Sequence, residues 1–151
     1  MVTAADFQVI AVTDDSGLLI EVPLLAQAEP VHRQLRAQLP QAYAERMAVV
    51  FANGGRMAVC IADGQVVCVA VWRLLEKAEG SRLFVDDLVS DHSTRSKGAG
   101  RFMLRWLEEK AHALSCCALA LDSGVQRHGA HRFYFREGMN ISAYSFRKLI
   151  K

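Results

Sequence analysis

The feature that most constrains this chain is the stretch of residues 82–107, where an apolar run is followed by a glycine-containing turn and then by an amphipathic segment. The run Leu83–Val89 predicts a strand, and the spacing of apolar residues after Gly100 predicts a helix. A turn between a strand and a helix directs several backbone N–H groups toward one point, at the positive end of the helix dipole. The sequence therefore predicts an anion site, most simply a phosphate site, in this turn.

The residue types in the turn suit that role. Gly98 and Gly100 let the backbone approach an anion closely, and Arg95, Lys97 and Arg101 add positive charge. A tight connection without a ligand is the structural alternative. The chain contains neither G-x-x-x-x-G-K-[ST] nor G-x-G-x-x-G, so the sequence does not support a Walker-type NTPase or a dinucleotide-binding fold.

Two motifs carry a resemblance to a known family. Arg95-x-x-Gly98-x-Gly100 resembles [RQ]-x-x-G-x-[GA], the acyl-CoA pyrophosphate motif of the GNAT N-acetyltransferase superfamily. Downstream, residues 130–139 (AHRFYFREGM) resemble the family's A-x-x-F-Y-x-x-x-G-F signature, with Met139 in place of phenylalanine. The resemblance extends from about Val66 to the C-terminus and is weaker before that.

The resemblance implies an α/β fold with a mixed, mainly antiparallel central sheet flanked by helices, in one domain over residues 1–151. The residue pattern agrees with this fold. Asp63-Gly64 separates the apolar runs 56–62 and 65–74, which predicts a hairpin, and a third strand follows from Arg82.

The other elements follow from periodicity and turn residues. Leu18–Ala28 fits a helix only if Pro23 lies in a first turn or at a kink, and Asp122-Ser123-Gly124 ends a buried strand. The remaining predictions are a strand over Phe7–Val12, helices from Glu29-Pro30 to about Leu39, over Ala42–Phe51 and over Arg127–Glu137, and strands over Cys116–Leu121 and Met139–Ile150.

The resemblance also assigns the cofactor site residue by residue. It implies that backbone groups of Leu88 and Val89 meet the pantetheine and thioester, and that the phosphate turn holds the pyrophosphate. The implied turn residues are Arg95, Ser96, Lys97, Gly98, Ala99, Gly100 and Arg101, with backbone N–H donors from Lys97 to Arg101. Many family members have an asparagine where this chain has Arg127, so Gln126 or Arg127 makes that contact, or the contact is absent.

Acyl transfer to an amine also requires an acid for the leaving thiolate and a route for the amine proton. Tyr134 occupies the family's tyrosine position, and a phenol with a pKa of about 10 can protonate a thiolate. Asp86 and Asp87 are candidates for the base or for holding a cationic amine, although strand alternation directs them to opposite sides unless a bulge intervenes. A water chain without a single base, or a side chain among His128, His131 and Asp122, is the alternative.

The resulting hypothesis is an acetyl-CoA-dependent N-acetyltransferase that acetylates a primary amine by direct transfer. The two aspartates mildly favour a cationic amine, while a small molecule, an amino acid and a protein amine all remain open. The competing hypothesis is a non-catalytic acyl-CoA-binding sensor or interaction module.

Composition limits which other classes of protein this chain can belong to. A net charge of +2 gives no reason to expect a nucleic-acid partner, and no apolar run reaches the roughly 20 residues needed to span a bilayer. The sequence predicts a cytoplasmic protein with four reduced, buried cysteines, all in strands, and no metal site. An exposed last strand would allow a homodimer by edge pairing.

Overall fold

The computed structural model describes residues 6–94 and 97–151. The chain divides into two compact parts, residues 1–120 and residues 121–151, which are described separately.

Within the described ranges, five strands form one sheet in the order of the chain. They are β1 (Gln8–Ala11), β2 (Arg56–Ala62), β3 (Gln65–Lys77), β4 (Gly80–Ser90) and β5 (Ala118–Leu121). The first four strands form an antiparallel meander. The predicted hairpin at Asp63-Gly64 is confirmed, because both residues have the positive φ, 51° and 72°, that a type I′ turn requires.

The helices are α1 (Val22–Leu35), α2 (Tyr43–Ala52), α3 (Ala99–Ala113) and α4 (His128–Arg136). The predicted division of α1 at Glu29-Pro30 was wrong, because one helix runs through Pro30, while Pro23 lies in its first turn. Buried Leu25, Ala28 and Val31 continue one apolar face across the proline. Packing of that face on the sheet outweighs the backbone hydrogen bond that Pro30 cannot donate.

The core lies on both faces of the central strands. Val59 and Val69 belong to a cluster that also includes Leu25 of α1 and Met47 of α2. The alternate positions on β2 and β3 are also buried, and α3 packs against β2, β3 and β4. The Lys110 ammonium of α3 lies over the Trp72 ring of β3, 5.8 Å from its centroid.

The cysteine prediction was right for two residues. Cys60 and Cys68 are buried in β2 and β3, and burial raises the pKa of their thiols to about 11 and about 12. Cys116 and Cys117 lie before β5 rather than in it, and Cys117 is exposed, so the prediction was wrong there. No group of metal-ligating His, Cys, Asp and Glu side chains is found in the described parts of the chain.

The predicted strand over Met139–Ile150 was also wrong. Residues 139–151 have no regular secondary structure, and Tyr144, Phe146 and Leu149 are exposed. Alternating apolar residues make a segment able to form a strand, but a strand also needs a neighbour for its backbone hydrogen bonds, and alternation does not specify that neighbour.

The second part contains α4. As predicted, Gly138 follows the helix with a left-handed φ of 85°. The Gly138 N–H donates to the Phe135 carbonyl at 3.1 Å, and the Met139 N–H donates to the Tyr134 carbonyl at 3.0 Å. These bonds end the helix in the way expected for a glycine at this position. None of the described helices is both long enough and apolar enough to cross a bilayer.

Candidate active site

The predicted anion turn leads directly into α3. Gly98 has a left-handed φ of 99° and caps the helix N-terminus. The first helical bond runs from the Phe102 N–H to the Gly98 carbonyl at 2.9 Å. The N–H groups of Ala99, Gly100 and Arg101 precede that bond and have no acceptor within the helix. The N–H groups of Ala99 and Gly100 are available to an anion at the positive end of the helix dipole.

One predicted backbone donor is already used. The Lys97 N–H donates to the Thr94 carbonyl at 3.1 Å, so this residue can contribute its exposed ammonium but not its amide. Arg95 and Ser96 were also predicted in this turn, and they lie outside the described residues.

A glutamine that the sequence analysis missed connects α1 to the segment before the turn. The Gln34 side-chain amide donates to Asp91 Oδ1 at 2.9 Å, and its carbonyl oxygen accepts from the His92 N–H at 2.9 Å. The Asp91 N–H donates to the Val67 carbonyl at 2.8 Å. These bonds fix the path of the chain between β4 and the anion turn.

Leu88 and Val89 lie near the end of β4 that leads to this turn. They pair with Ala70 and Val69 of β3. On the other side of β4, the Cys117 N–H donates to the Ser81 carbonyl at 2.8 Å, close to the start of the strand. Because β5 has only four residues against eleven in β4, it cannot accompany β4 along its whole length.

A bulge in β4 brings the two predicted carboxylates together. Val85 pairs with Trp72 and Asp87 pairs with Val71, so Asp86 has no partner across the ladder. Strict alternation would place Asp86 and Asp87 on opposite faces, but the extra residue turns both toward one cleft.

The cleft has a volume of about 180 Å³ and is formed by α1, α2, β3 and β4. Its walls contain three arginines, two aspartates, a histidine and four apolar residues. They are His32, Arg36, Leu39, Arg46, Met47, Val50, Val71, Arg73, Asp86 and Asp87.

Both carboxylate oxygens of Asp87 are occupied. Oδ2 accepts from His32 Nε2 at 2.7 Å, and Oδ1 accepts from Arg36 Nε at 2.8 Å, with the Arg36 Nη2 atom 2.6 Å from the same oxygen. Burial alone would raise the pKa of Asp87, but the hydrogen bonds from His32 and Arg36 and the charge of Arg36 outweigh it and lower the pKa. Asp87 is therefore an ionised acceptor.

His32 is held from both sides. Its side chain is 1% exposed, and its Nδ1 lies 2.8 Å from the Tyr43 hydroxyl. Burial, followed by the charge of Glu29, raises the pKa of Tyr43, so the phenol keeps its proton. The Tyr43 hydroxyl can therefore donate to His32 Nδ1, while His32 Nε2 donates to the Asp87 carboxylate. The chain Tyr43–His32–Asp87–Arg36 therefore fixes the geometry of this wall.

Among the described residues, the carboxylate of Asp86 has fewer partners than that of Asp87. Both contacts from Arg73, through Nε at 2.7 Å and Nη2 at 2.6 Å, go to Oδ2. No partner of Asp86 Oδ1 is found among residues 6–94 and 97–151. Asp86 is thus the carboxylate with an oxygen available to a bound molecule in the cleft.

These pairings weaken the expectation of a cationic amine. The expectation rested on the acidic character of Asp86 and Asp87, and each of them is paired with an arginine. The sequence could not show this, because Arg36 and Arg73 are far from the aspartates along the chain.

The other predicted catalytic and cofactor residues lie in the second part. Tyr134 is half-buried in α4, and its ring meets that of Phe133 edge to face, with centroids 5.4 Å apart. Arg127 caps the N-terminus of α4, and its N–H donates to the Gly124 carbonyl at 3.0 Å. The alternative His131 donates from Nε2 to the same carbonyl at 2.8 Å. His128, Gln126 and Asp122 are exposed.

Sequence reasoning missed the N-terminal wall of the cleft. One signal was present, because His32 shares the buried face of α1 with Leu25, Ala28 and Val31, and a polar residue on an apolar face requires a partner. Tyr43 and Arg46 offered no such signal.

The chain matches the family model of the Acetyltransferase (GNAT) family over residues 24–139. An uncharacterized N-acetyltransferase of Bacillus subtilis, YhdJ, is 30% identical over 128 residues, which is 82% of this chain and 89% of that protein. The chain therefore belongs to the GNAT family, as the two motifs implied.

Two further comparisons agree. An aminoalkylphosphonate N-acetyltransferase of Salmonella typhimurium is 33% identical over 66 residues, 44% of this chain and 43% of that protein. An aminoglycoside N-acetyltransferase solved in complex with CoA superposes with a TM-score of 0.81 at 12% identity, covering 96% of this chain and 95% of that one. The protein is an acetyl-CoA-dependent N-acetyltransferase, and the non-catalytic sensor is not favoured.

Proposed function

We propose that this enzyme acetylates a primary amine bound in the cleft between α1, α2 and β4, by direct attack on the thioester of acetyl-CoA. The observation that carries the proposal is the bulge at Asp86, which directs a carboxylate oxygen into the cleft three residues before Val89 on the same strand. At about 3.3 Å per residue, the backbone positions of Asp86 and Val89 are about 10 Å apart along β4, which leaves room for the amine nitrogen between the Asp86 side chain and the thioester.

In this proposal the anion turn holds the pyrophosphate. The N–H groups of Ala99, Gly100 and Arg101 donate to it, and Gly98 allows the close approach. The side chains of Lys97 and Arg101 add charge. Arg95, Ser96 and the α4 cap Arg127 are assigned by the family motifs alone, and Leu88 and Val89 supply backbone groups to the pantetheine and the carbonyl.

The proton steps are assigned to two side chains. Asp86 Oδ1 accepts a hydrogen bond from the acceptor nitrogen, directly or through water, and takes the proton lost as the new C–N bond forms. Tyr134 gives its phenolic proton to the thiolate as the C–S bond breaks. Asp87 has no free oxygen, so we assign it to positioning rather than to proton transfer.

A small acceptor is the simplest choice for a cleft of about 180 Å³. The relative named as an aminoalkylphosphonate N-acetyltransferase supports a small amine as well. One domain over residues 1–151 and a cytoplasmic location stay proposals that rest on length and on the absence of a long apolar run. A homodimer is also still a prediction, although the edge strand on which it was based is not formed.

The test is release of CoA thiol from acetyl-CoA in the presence of a panel of small amines, for the wild type and Tyr134→Phe. We expect the wild type to turn over and the variant to lose most of its kcat, by about 100-fold, with unchanged affinity for acetyl-CoA. Tyr144→Phe removes a phenol from an exposed position and serves as the control. Full activity of Tyr134→Phe would reject the assigned acid, and acetyl-CoA binding without any turnover would favour the sensor.

A further inference from the structure

The cleft contains one more arginine than it contains carboxylates. Arg36 is paired with Asp87, and Arg73 is paired with Asp86. Arg46 also lines the cleft, and no side-chain hydrogen bond or ion pair to it is found in the part of the chain that the structure describes. Among the described residues, Arg46 therefore gives the α2 wall of the cleft a positive charge without a partner.

Arg46 is presented from a fixed element. Its backbone N–H donates to the Ala42 carbonyl at 3.1 Å in the first turn of α2. The next residue, Met47, is 2% exposed and belongs to the core, and Val50, one turn further on, lines the same cleft. The helix is therefore held against the sheet while the guanidinium remains exposed. A guanidinium keeps its charge at all relevant pH values, and its planar fork matches the oxygens of a carboxylate or phosphonate.

The β4 wall offers the complementary group. Asp86 lines the cleft, and its Oδ1 has no partner within the described residues, so it can accept from an amino group. A molecule that satisfies both groups needs an amine at one end and an acid at the other.

We infer that the acceptor is a small amine that carries an acid group, carboxylate or phosphonate, with Arg46 binding the acid group and Asp86 contacting the amine. The inference rests on the proposed function, because it names the substrate class of that same cleft. It disfavours acceptors with several positive charges, since a second ammonium would meet Arg46, whose charge no carboxylate among the described lining residues balances.

The test compares kcat/KM for acid-bearing amines with kcat/KM for amines that lack an acid. β-Alanine and aminoethylphosphonate are the acid-bearing probes, and propylamine and diaminopropane are the neutral and cationic counterparts. The variants are Arg46→Met, which keeps the apolar stem, and Arg46→Lys, which keeps the charge. Lys77→Met removes one positive charge at the exposed end of β3 and is the matched control.

We expect the wild type to prefer the acid-bearing amines over propylamine by about ten- to hundredfold, the usual effect of a charge-assisted hydrogen bond. Arg46→Met should lose this preference through a raised KM, Arg46→Lys should recover part of it, and Lys77→Met should keep it. The inference would be overturned if propylamine or diaminopropane were acetylated as efficiently as the acid-bearing amines. An unchanged preference in Arg46→Met would also overturn it.

A binding measurement separates this inference from the proposed function. Aminoethylphosphonate and β-alanine are titrated by calorimetry into the wild type and Arg46→Met, with CoA present. Binding that requires Arg46 supports acid recognition even if no amine is acetylated, in which case only the proposed function fails. If the enzyme acetylates propylamine but binds neither β-alanine nor aminoethylphosphonate, the inference is wrong and the proposed function still holds.

Discussion

Asp86 and Asp87 are adjacent in sequence, face one cleft and have the same chemistry, yet their partners give them different roles. Asp87 is 13% exposed and shares its oxygens between His32 and Arg36, whereas Asp86 is 26% exposed and receives both contacts from Arg73 on a single oxygen. The available oxygen, rather than burial or charge, decides which of them can contact an acceptor.

Replacing Asp86 with asparagine should therefore impair transfer more than folding. We expect Asp86→Asn to lower kcat/KM for the amine by about tenfold or more, because a neutral amide cannot take the amine proton. The half-exposed ion pair with Arg73 contributes little to stability, so the free energy of unfolding should change by less than about 1 kcal/mol. Steady-state kinetics measures the change in kcat/KM, and a urea titration measures the change in the free energy of unfolding. Unchanged kinetics would show that Asp86 does not take part in the proposed mechanism.

Asp87 should show the opposite behaviour. In Asp87→Asn the charge-assisted bonds to His32 and Arg36 are lost, and we expect the free energy of unfolding at neutral pH to fall by about 1–3 kcal/mol. Because folding lowers the pKa of Asp87, its contribution is present above the unfolded value of about 3.9 and is lost as the pH falls through the folded value.

The measurement is the free energy of unfolding as a function of pH for both proteins. The difference between wild type and Asp87→Asn should be largest at neutral pH and should shrink on acidification below about pH 4. A difference independent of pH would show that the carboxylate charge does not stabilise this wall.

Among the elements, the hairpin and α3 follow from local rules, while α1 does not. Asp63-Gly64 specifies its own turn, and the apolar positions of α3 are spaced as a helix requires. In α1 the local signal at Pro30 favours a break, and only burial of a face that extends to both sides of the proline keeps the helix continuous. Local sequence patterns thus predict an element correctly only where tertiary packing does not oppose them.

This account of α1 predicts that Pro30→Ala stabilises the protein. Pro30 is exposed, so no packing is lost, and alanine restores the N–H that can donate one turn back. After allowing for the greater freedom of the unfolded alanine chain, we expect a gain of about 1–2 kcal/mol in the free energy of unfolding. Pro23→Ala, in the first turn where no such bond exists, should not stabilise. Equal effects of the two changes in urea titrations would contradict this account.

At the scale of the whole molecule, the sequence predicted the order of the meander, the helix after the anion turn and α4 with its glycine stop. It did not predict the cleft, because the cleft is assembled from segments far apart in the chain: α1, α2, β3 and the β4 bulge. The pairing of Arg36 with Asp87 and of Arg73 with Asp86 depends on how those segments pack. The glycine-containing turn can be recognised from residues that are neighbours in the sequence. The net charge of a cleft formed by distant segments cannot.

We assign acetyl-CoA binding to the turn at Gly98, and calorimetric titration of acetyl-CoA into the wild type, Gly98→Ala and Gly98→Asp measures that binding. Both variants introduce a Cβ at a position where φ is 99°, but only aspartate adds a negative charge where the pyrophosphate is expected. We predict saturable binding by the wild type, weaker binding by Gly98→Ala and none by Gly98→Asp. No saturable binding by the wild type, or equal affinity in all three proteins, would contradict this assignment.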